Sequence, residues 1–521
     1  MINDYMKRIF TIAVCLCAIA LVSCAKEEAF SGEKMEKRSL RAWIKKNRPE
    51  LLGNYQTEGE YYIDVLAWGE TSPAIDENDF GGEPIMEQDT CWIVYNYTGY
   101  DLEGNVCATR KEMVARMQGT YTDYTHYVPY MNYCGVNNYY GLLEGTYIST
   151  RNKITLSEEY VQREDKRDIC RGTEFVMRKG SKVRLYLPST IAYLSSGSLE
   201  EGGYEGQYAL DMNVPAIMEV EVLRVIKNPS DNELAMIEAL VEDSQSKAGS
   251  NIWEKVKIKD KTTIEGVTDN NSNQEQEPEG DGMYKGLYYT QQFDPANANT
   301  HLGYMLPQST AVNDPYKDSD RYVDMAKFDE ELFKILDEKF GDMITKTSDE
   351  DAKVIGESNA AKIWYVGRFL DGFIFDTNIA EVKKLVFDTA SGASAITYEA
   401  EQDEKDYISA WFHCIPKLRY GRWGAILTSS GYAYGAEGVS GSSSTTSSGA
   451  SSYYNNYYAY NNYYNYANSY YYNDYYSYPI DYYSYNSAYD SGETTTTIET
   501  EIMPYSPMVF YVFVEPMEGI K

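Results

Sequence analysis

The period of the apolar positions changes several times along the chain, and each change predicts an element. Ile9 to Val22 form an apolar run of fourteen residues, interrupted only by Thr11, behind Lys7 and Arg8. A run that short does not cross a bilayer core of roughly 30 Å, so it predicts a cleaved export signal over 1–23. Leu40, Trp43, Ile44 and Leu51 then recur near helical spacing, with Ser39 as the candidate cap and Gly53 past the end, predicting a short helix within a tether over 24–58. Tyr61 to Trp68 and Trp92 to Tyr97 are aromatic and β-branched and predict strands, as does Met283 to Thr290. Met325, Phe328, Leu332, Ile335, Leu336 and Phe340 mark one face of an amphipathic helix that Gly341 ends. Ile217 to Ile226 and Met508 to Val514 read as buried strands, and the polar stretch 231–281 reads as a linker.

These patterns repeat. Tyr97-Thr98-Gly99 lies seven residues ahead of Gly104, counted from the tyrosine, and Tyr365-Val366-Gly367 lies at the same distance from Gly372. Gly180 precedes Tyr193 by thirteen residues, as Gly421 precedes Tyr434. Each series ends in one of the two apolar strands. Equal spacings in equal order predict two copies of one fold, over 59–230 and 282–521, which suits a chain of 521 residues.

Composition narrows the chemistry. A net charge of −32 excludes a polyanionic partner, because phosphate binding needs a basic surface. Cys91, Cys107, Cys134, Cys170 and Cys414 form no C-x-x-C pair and read mostly as buried thiols. His126, His301 and His413 are too scattered for a metal cluster or a catalytic base. No metal or cofactor is expected.

The residues that end the export signal, Leu21-Val22-Ser23-Cys24, resemble a lipobox. The resemblance implies acylation of Cys24 and a chain anchored by lipid in a bacterial envelope, since several acyl chains hold a protein durably where one does not. Lys26-Glu27-Glu28 resembles the acidic signal that places Bacteroidetes lipoproteins on the outer face of the outer membrane, and reads equally as the start of a solvated tether.

The second copy resembles the FKBP-type peptidyl-prolyl cis-trans isomerase family. Trp364 through Tyr365 and Asp371-Gly372 to Phe375-Asp376 is similar to the family's tyrosine strand, hairpin and Phe-Asp pair. Tyr407-Ile408-Ser409-Ala410-Trp411 resembles the step that opens its short helix, and Gly431-Tyr432-Ala433-Tyr434-Gly435 its Tyr-Ala-Tyr-Gly loop. Ile502 and Phe510 fit the closing strand. The resemblance implies an α+β fold of two FKBP-like domains, each a bent antiparallel sheet wrapped around a short helix. It implies further that Tyr365, Phe375, Asp376, Tyr407, Ile408, Trp411, Tyr434, Ile502 and Phe510 line one pocket, with Trp411 as its floor. The Ile408 N–H would then hold a substrate carbonyl, while Tyr434 and Asp376 would add polar contacts.

The first copy keeps Tyr97 and Tyr193 but has Cys107 and Ala108 where Phe-Asp is expected, Cys170 near the tryptophan position, and Leu194 in place of the loop glycine. An insertion over 110–168 is expected to separate its two blocks. In the second copy the pocket loop is replaced over 438–501 by a Ser/Thr/Gly run and a Tyr/Asn/Ser repeat without a single Lys or Arg. Two functions remain open. One is an extracytoplasmic prolyl isomerase or folding helper that acts through the second copy on proline-containing segments of exported proteins. The other is a non-catalytic surface protein whose tyrosine-rich loop holds a protein or glycan partner.

Overall fold

The computed structural model describes residues 32–122, 124–193, 210, 213–249, 251–257, 283–295, 320–344, 353–356, 359–399, 407–436, 438–447 and 494–516. The export signal and Cys24 therefore lie outside the described residues, as do Leu194 and the tyrosine-rich repeat. No helix among the described residues is long and apolar enough to cross a membrane. The fold is α+β, with antiparallel sheets and packed helices.

The first sheet holds β1 (Tyr61–Trp68), β2 (Thr90–Tyr100), β3 (Val106–Thr109), β4 (Tyr130–Gly135), β5 (Ser181–Leu187) and β6 (Ala216–Ile226). Its main path runs β1-β5-β6-β2-β4, with β3 also on β2 and a two-residue strand at either edge. The second holds β7 (Glu254–Lys257), β8 (Met283–Thr290), β9 (Ala360–Phe369), β10 (Ile374–Thr377), β11 (Ile396–Glu399), β12 (Arg422–Thr428) and β13 (Met508–Val514). Its path is β7-β8-β12-β13-β9-β10, with β11 also on β9. From β1 and from β8 onward the two sheets have the same strand order.

The registers extend the repeat further than the spacings do. Tyr97 faces Val220 across β2 and β6, and Tyr365 faces Val512 across β9 and β13. On that frame Tyr95 pairs with Tyr130, and Ile363 pairs with Ile396, so β4 is the counterpart of β11. Helices α2 (Glu112–Gln118) and α3 (Glu144–Arg151) follow β3 in the order in which α6 (Ala380–Phe387) and α7 (Ser409–Cys414) follow β10. The segment expected as an insertion over 110–168 is thus ordinary repeat as far as α3. The extra chain of the first half lies between α3 and β5, and the distinction was hidden because α2, β4 and α3 share no residue motif with their counterparts.

The helix at the N-terminus, α1 (Gly32–Asn47), starts before Ser39, which lies inside it and caps nothing. Leu40 and Ile44 of α1 and Leu51 beyond it are fully buried in the first core, so this segment is part of the packed half. The expected linker is folded as well. Asn228 accepts from the Ser230 N–H, Pro229 stands at the first position, and Gly249 ends α4 (Pro229–Ala248) in the left-handed conformation. Met236, Ile237, Leu240 and Val241 of α4 are buried against the second sheet, and β7 joins that sheet's edge. The remainder of the expected linker, 258–281, lies outside the described residues. All five described cysteines are buried free thiols.

Strand β13 explains its own unbroken apolar run. Met508, Phe510, Val512 and Val514 face the core that contains α7, while Val509, Tyr511 and Phe513 face a second core built by α4 and by α5 (Asp320–Phe340). Both faces of the strand are covered, so alternation has no polar side to show. Arg368 of β9 and Asp329 of α5 form a fully buried ion pair at 2.8 Å, which ties the outer helix to the sheet.

Candidate functional site

The site is built on β9, β10, β13 and the N-terminus of α7. Tyr365 points from β9 into the α7 core, and its backbone is held from both sides. Its N–H donates to Asn378 Oδ1 at 2.7 Å and its carbonyl accepts from Thr377 Oγ1 at 2.7 Å. Its hydroxyl donates to Asp376 Oδ2 at 2.5 Å, and Asp376 Oδ1 accepts from the Thr377 N–H at 2.8 Å.

Aromatic rings enclose this pair. Trp411 stands edge-on to Tyr365 at 4.8 Å and to Phe510 at 5.4 Å, and Phe510 stands edge-on to Phe375 at 5.6 Å. Phe375 stands edge-on to Tyr434 at 6.2 Å. Edge-to-face contacts of this kind add about 0.5–1.5 kcal/mol each beyond area burial. Gly367 is required beneath them: a Cβ there would stand 2.8 Å from Phe375 and 3.1 Å from Phe510. Ile502 is buried in the same core, with Tyr407 and Ile408 packed against it. All nine residues read from the sequence as one pocket are therefore gathered in one place.

Electrostatics keep the hydroxyls as donors. Burial, and then the neighbouring Asp376, push the Tyr365 phenol well up. The same causes in the same order push Tyr434 up to about 12. Trp411 Nε1 is buried and has no hydrogen-bond partner among the described residues. Ile408 precedes α7 in an extended conformation, and its N–H donates to no described residue, while its carbonyl accepts from Trp411 and Phe412. The site thus offers an apolar, ring-lined surface with a few fixed donors and one carboxylate. Sequence reasoning missed Asn378 and Thr377, whose only signal was their place directly after the Phe-Asp pair.

Among its described residues the first half has no such ring cage. Register places Cys107 and Ala108 opposite Phe375 and Asp376, as expected, and Met218 opposite Phe510. Cys170 is not at the tryptophan position. Leu143 precedes α3 with φ −65° and ψ 141°, as Ile408 precedes α7 with φ −62° and ψ 142°, so Thr146 takes the place of Trp411. Thr146 Oγ1 lies 3.5 Å from Met218 Sδ, where the second half has its Trp411–Phe510 contact. Tyr193 is buried, and its hydroxyl is tied to the backbone of Val214.

The Ser/Thr run of the loop over 438–501 forms a paired ribbon of Ser442–Ser447 with Thr494–Glu499, and its tip lies outside the described residues. A cleft of about 100 Å³ lies elsewhere, between the halves, lined by His126, Met131, Met236, Phe369, Asp371 and Tyr505 among others. Its charged groups are already paired: His126 Nε2 lies 2.7 Å from Asp371 Oδ2, and Arg224 bonds Asp76 and Asn232 at 3.1 Å.

No family profile matches the chain, and no curated protein matches it in sequence. Solved structures that align with it include FKBP-domain proteins and a peptidyl-prolyl isomerase. The three FKBP domains of wheat FKBP73 align at 10% identity over 88% of this chain and 95% of that one, with a TM-score of 0.20. FkpA from Escherichia coli aligns at 15% identity over 42% of this chain and 71% of that one, with a TM-score of 0.21. A peptidyl-prolyl isomerase from Pseudomonas syringae aligns at 15% identity over 38% and 99%, with a TM-score of 0.20. Superpositions this loose carry no weight by themselves; the site's own geometry does.

Proposed function

We propose that the second half is an FKBP-type peptidyl-prolyl cis-trans isomerase site, and that each half is one FKBP-like unit with its sheet wrapped around α3 or α7. The observation that carries the reading is the Tyr365–Asp376 hydrogen bond set inside the ring cage of Trp411, Phe510 and Phe375. A motif spread over more than a hundred residues supplied those positions, and folding brings them together.

The reaction suits such a site. Amide resonance imposes a rotational barrier of roughly 18–20 kcal/mol. The twisted amide has less charge separation than the planar one and needs less hydration, so an apolar pocket binds it better. Trp411 carries the proline ring, the Ile408 N–H receives a substrate carbonyl, Tyr434 donates to the amide oxygen, and Asp376 orders Tyr365 and faces the twisting group. No nucleophile or proton relay is needed. The first half, with Ala108 and Thr146 at two of these places, serves as scaffold. The substrates are proline-containing segments of exported proteins, and the chain is held to the outer membrane of a bacterial envelope through lipid on Cys24; the apolar run over 9–22 and the lipobox support that location.

The test is an NMR-exchange or protease-coupled prolyl isomerase assay on the full chain, with an Asp376→Val, Tyr434→Phe double variant beside it. Acceleration that falls about 100-fold in the variant, the scale of losing a positioned polar contact, supports the reading. A folded wild-type chain that gives no acceleration sinks it.

A further inference from the structure

One contact recurs in both halves outside the aromatic cluster. In each, a glutamate from the helix ahead of the sheet reaches the serine that opens the turn after the fifth repeat strand, β5 or β12. Glu36 of α1 accepts from the Ser189 N–H at 2.5 Å and from Ser189 Oγ at 2.7 Å. Glu233 of α4 accepts from the Ser430 N–H and from Ser430 Oγ, both at 2.7 Å. All four residues are buried, and Glu233 is only 1% exposed. In each half the loop tyrosine, Tyr193 or Tyr434, stands four residues beyond the serine. The Ser430 carbonyl then accepts from both Ala433 N and Gly435 N at 2.8 Å, which fixes the backbone on either side of Tyr434.

We propose that Glu233 is a positioning residue for the candidate active site: it fixes Ser430, and Ser430 fixes the loop that presents Tyr434. The proposal rests on Tyr434 facing the substrate. Glu233 touches no ring of the pocket and acts wholly through the turn. In the first half the same device holds a tyrosine whose hydroxyl is already bound to Val214, so Glu36 has no substrate contact to place.

The device responds to pH. Burial lifts the Glu233 carboxyl to about 7, while the two hydrogen bonds from Ser430 act in the opposite direction. Tyr505, ahead of β13, faces it and has its own titration raised chiefly by burial and then by Glu233. Arg224, bonded to Asn232, and His126, paired with Asp371 across the cleft, are further charged or titratable groups of this region. Below pH 7 the neutral acid accepts from the Ser430 N–H and donates to Ser430 Oγ. Above it, Ser430 still donates to the carboxylate, but the charge sits buried with no ion-pair partner among the described residues, and the cost of that burial favours opening of the turn.

The experiment compares full-length wild type, Glu233→Ala, Glu233→Gln and Glu36→Ala on both sides of pH 7. Expected are a kcat/KM lower by roughly 10- to 100-fold in Glu233→Ala, the scale on which misplacement by about 1 Å is felt, wild-type values at low pH in Glu233→Gln with no fall above pH 7, and unchanged turnover in Glu36→Ala. Equal losses in Glu36→Ala, or a Glu233→Ala chain that keeps full turnover, overturn the proposal. Should wild type prove inactive, the functional reading fails and amide exchange over 431–436 decides this one. Acceleration of about tenfold or more in Glu233→Ala supports the latch, and unchanged exchange refutes it.

Discussion

At the scale of single residues, the proposed site of the second half uses side chains that the first half does not share: Ala108 and Thr146 stand where the second half has Asp376 and Trp411. Trp411→Leu and Asp376→Val should each lower isomerase kcat/KM by at least about tenfold, or 1.4 kcal/mol of transition-state preference. Tyr193→Phe should leave it unchanged, because that hydroxyl serves the Val214 backbone. Glu233 also bears on stability. Its folded pKa of about 7 exceeds the ordinary 4.5, so folding favours the protonated form. The stability this confers is complete below about pH 4.5 and is lost as pH rises through 7. Between those limits the wild type should lose on the order of 3 kcal/mol relative to Glu233→Gln, measured as denaturant midpoints of the two chains across that range. The nine pocket residues were legible because their types and spacings form an ordered set. Glu233 was not, because a buried glutamate in a polar stretch reads as solvated until its serine is placed beside it.

Among the elements, the strands were the most legible, since Tyr61–Trp68, Met283–Thr290 and Met508–Val514 stand where aromatic and β-branched runs predict them. Helix α4 was the least. Asn228, Pro229 and Gly249 were present as start and stop signals, but its buried stripe is only Met236, Ile237, Leu240 and Val241 amid acidic and polar residues. Such a stripe gains its meaning from the sheet it covers. Ile237→Ala should therefore cost about 2–5 kcal/mol, the range for a buried aliphatic truncated in a core, where a true linker position would cost less than about 0.5. Chemical denaturation of the full chain distinguishes the two.

Across the whole molecule, the halves are joined by buried charge. Arg110 follows β3 and is 1% exposed. It donates to Val128 O, to His126 O and to Glu501 Oε2 at 2.9 Å, and its guanidinium lies 4.4 Å above the Tyr130 ring. His126 stacks on Phe369 at 4.5 Å while it reaches Asp371. Removing Arg110 leaves the Val128 and His126 carbonyls and the half-buried Glu501 without their donor, at about 3–5 kcal/mol in total. Arg110→Ala should thus lower stability by that amount and split a single calorimetric transition into two. A single unshifted transition would show that the halves unfold independently of this contact.

The sequence by itself carried the repeated strand order and a set of nine residues, named through a resemblance, that the fold gathers around Trp411. The repeat follows from spacing and residue order, and the nine residues from a family resemblance; both survive without knowledge of neighbours. Tertiary structure alone decided the rest. It showed that the expected linker is a packed helix, that Thr146 and not Cys170 stands in for Trp411, and that Glu233 reaches Ser430. Each of these depends on contacts between residues far apart in sequence, where burial and pairing give a side chain a role that its type and its immediate neighbours do not encode.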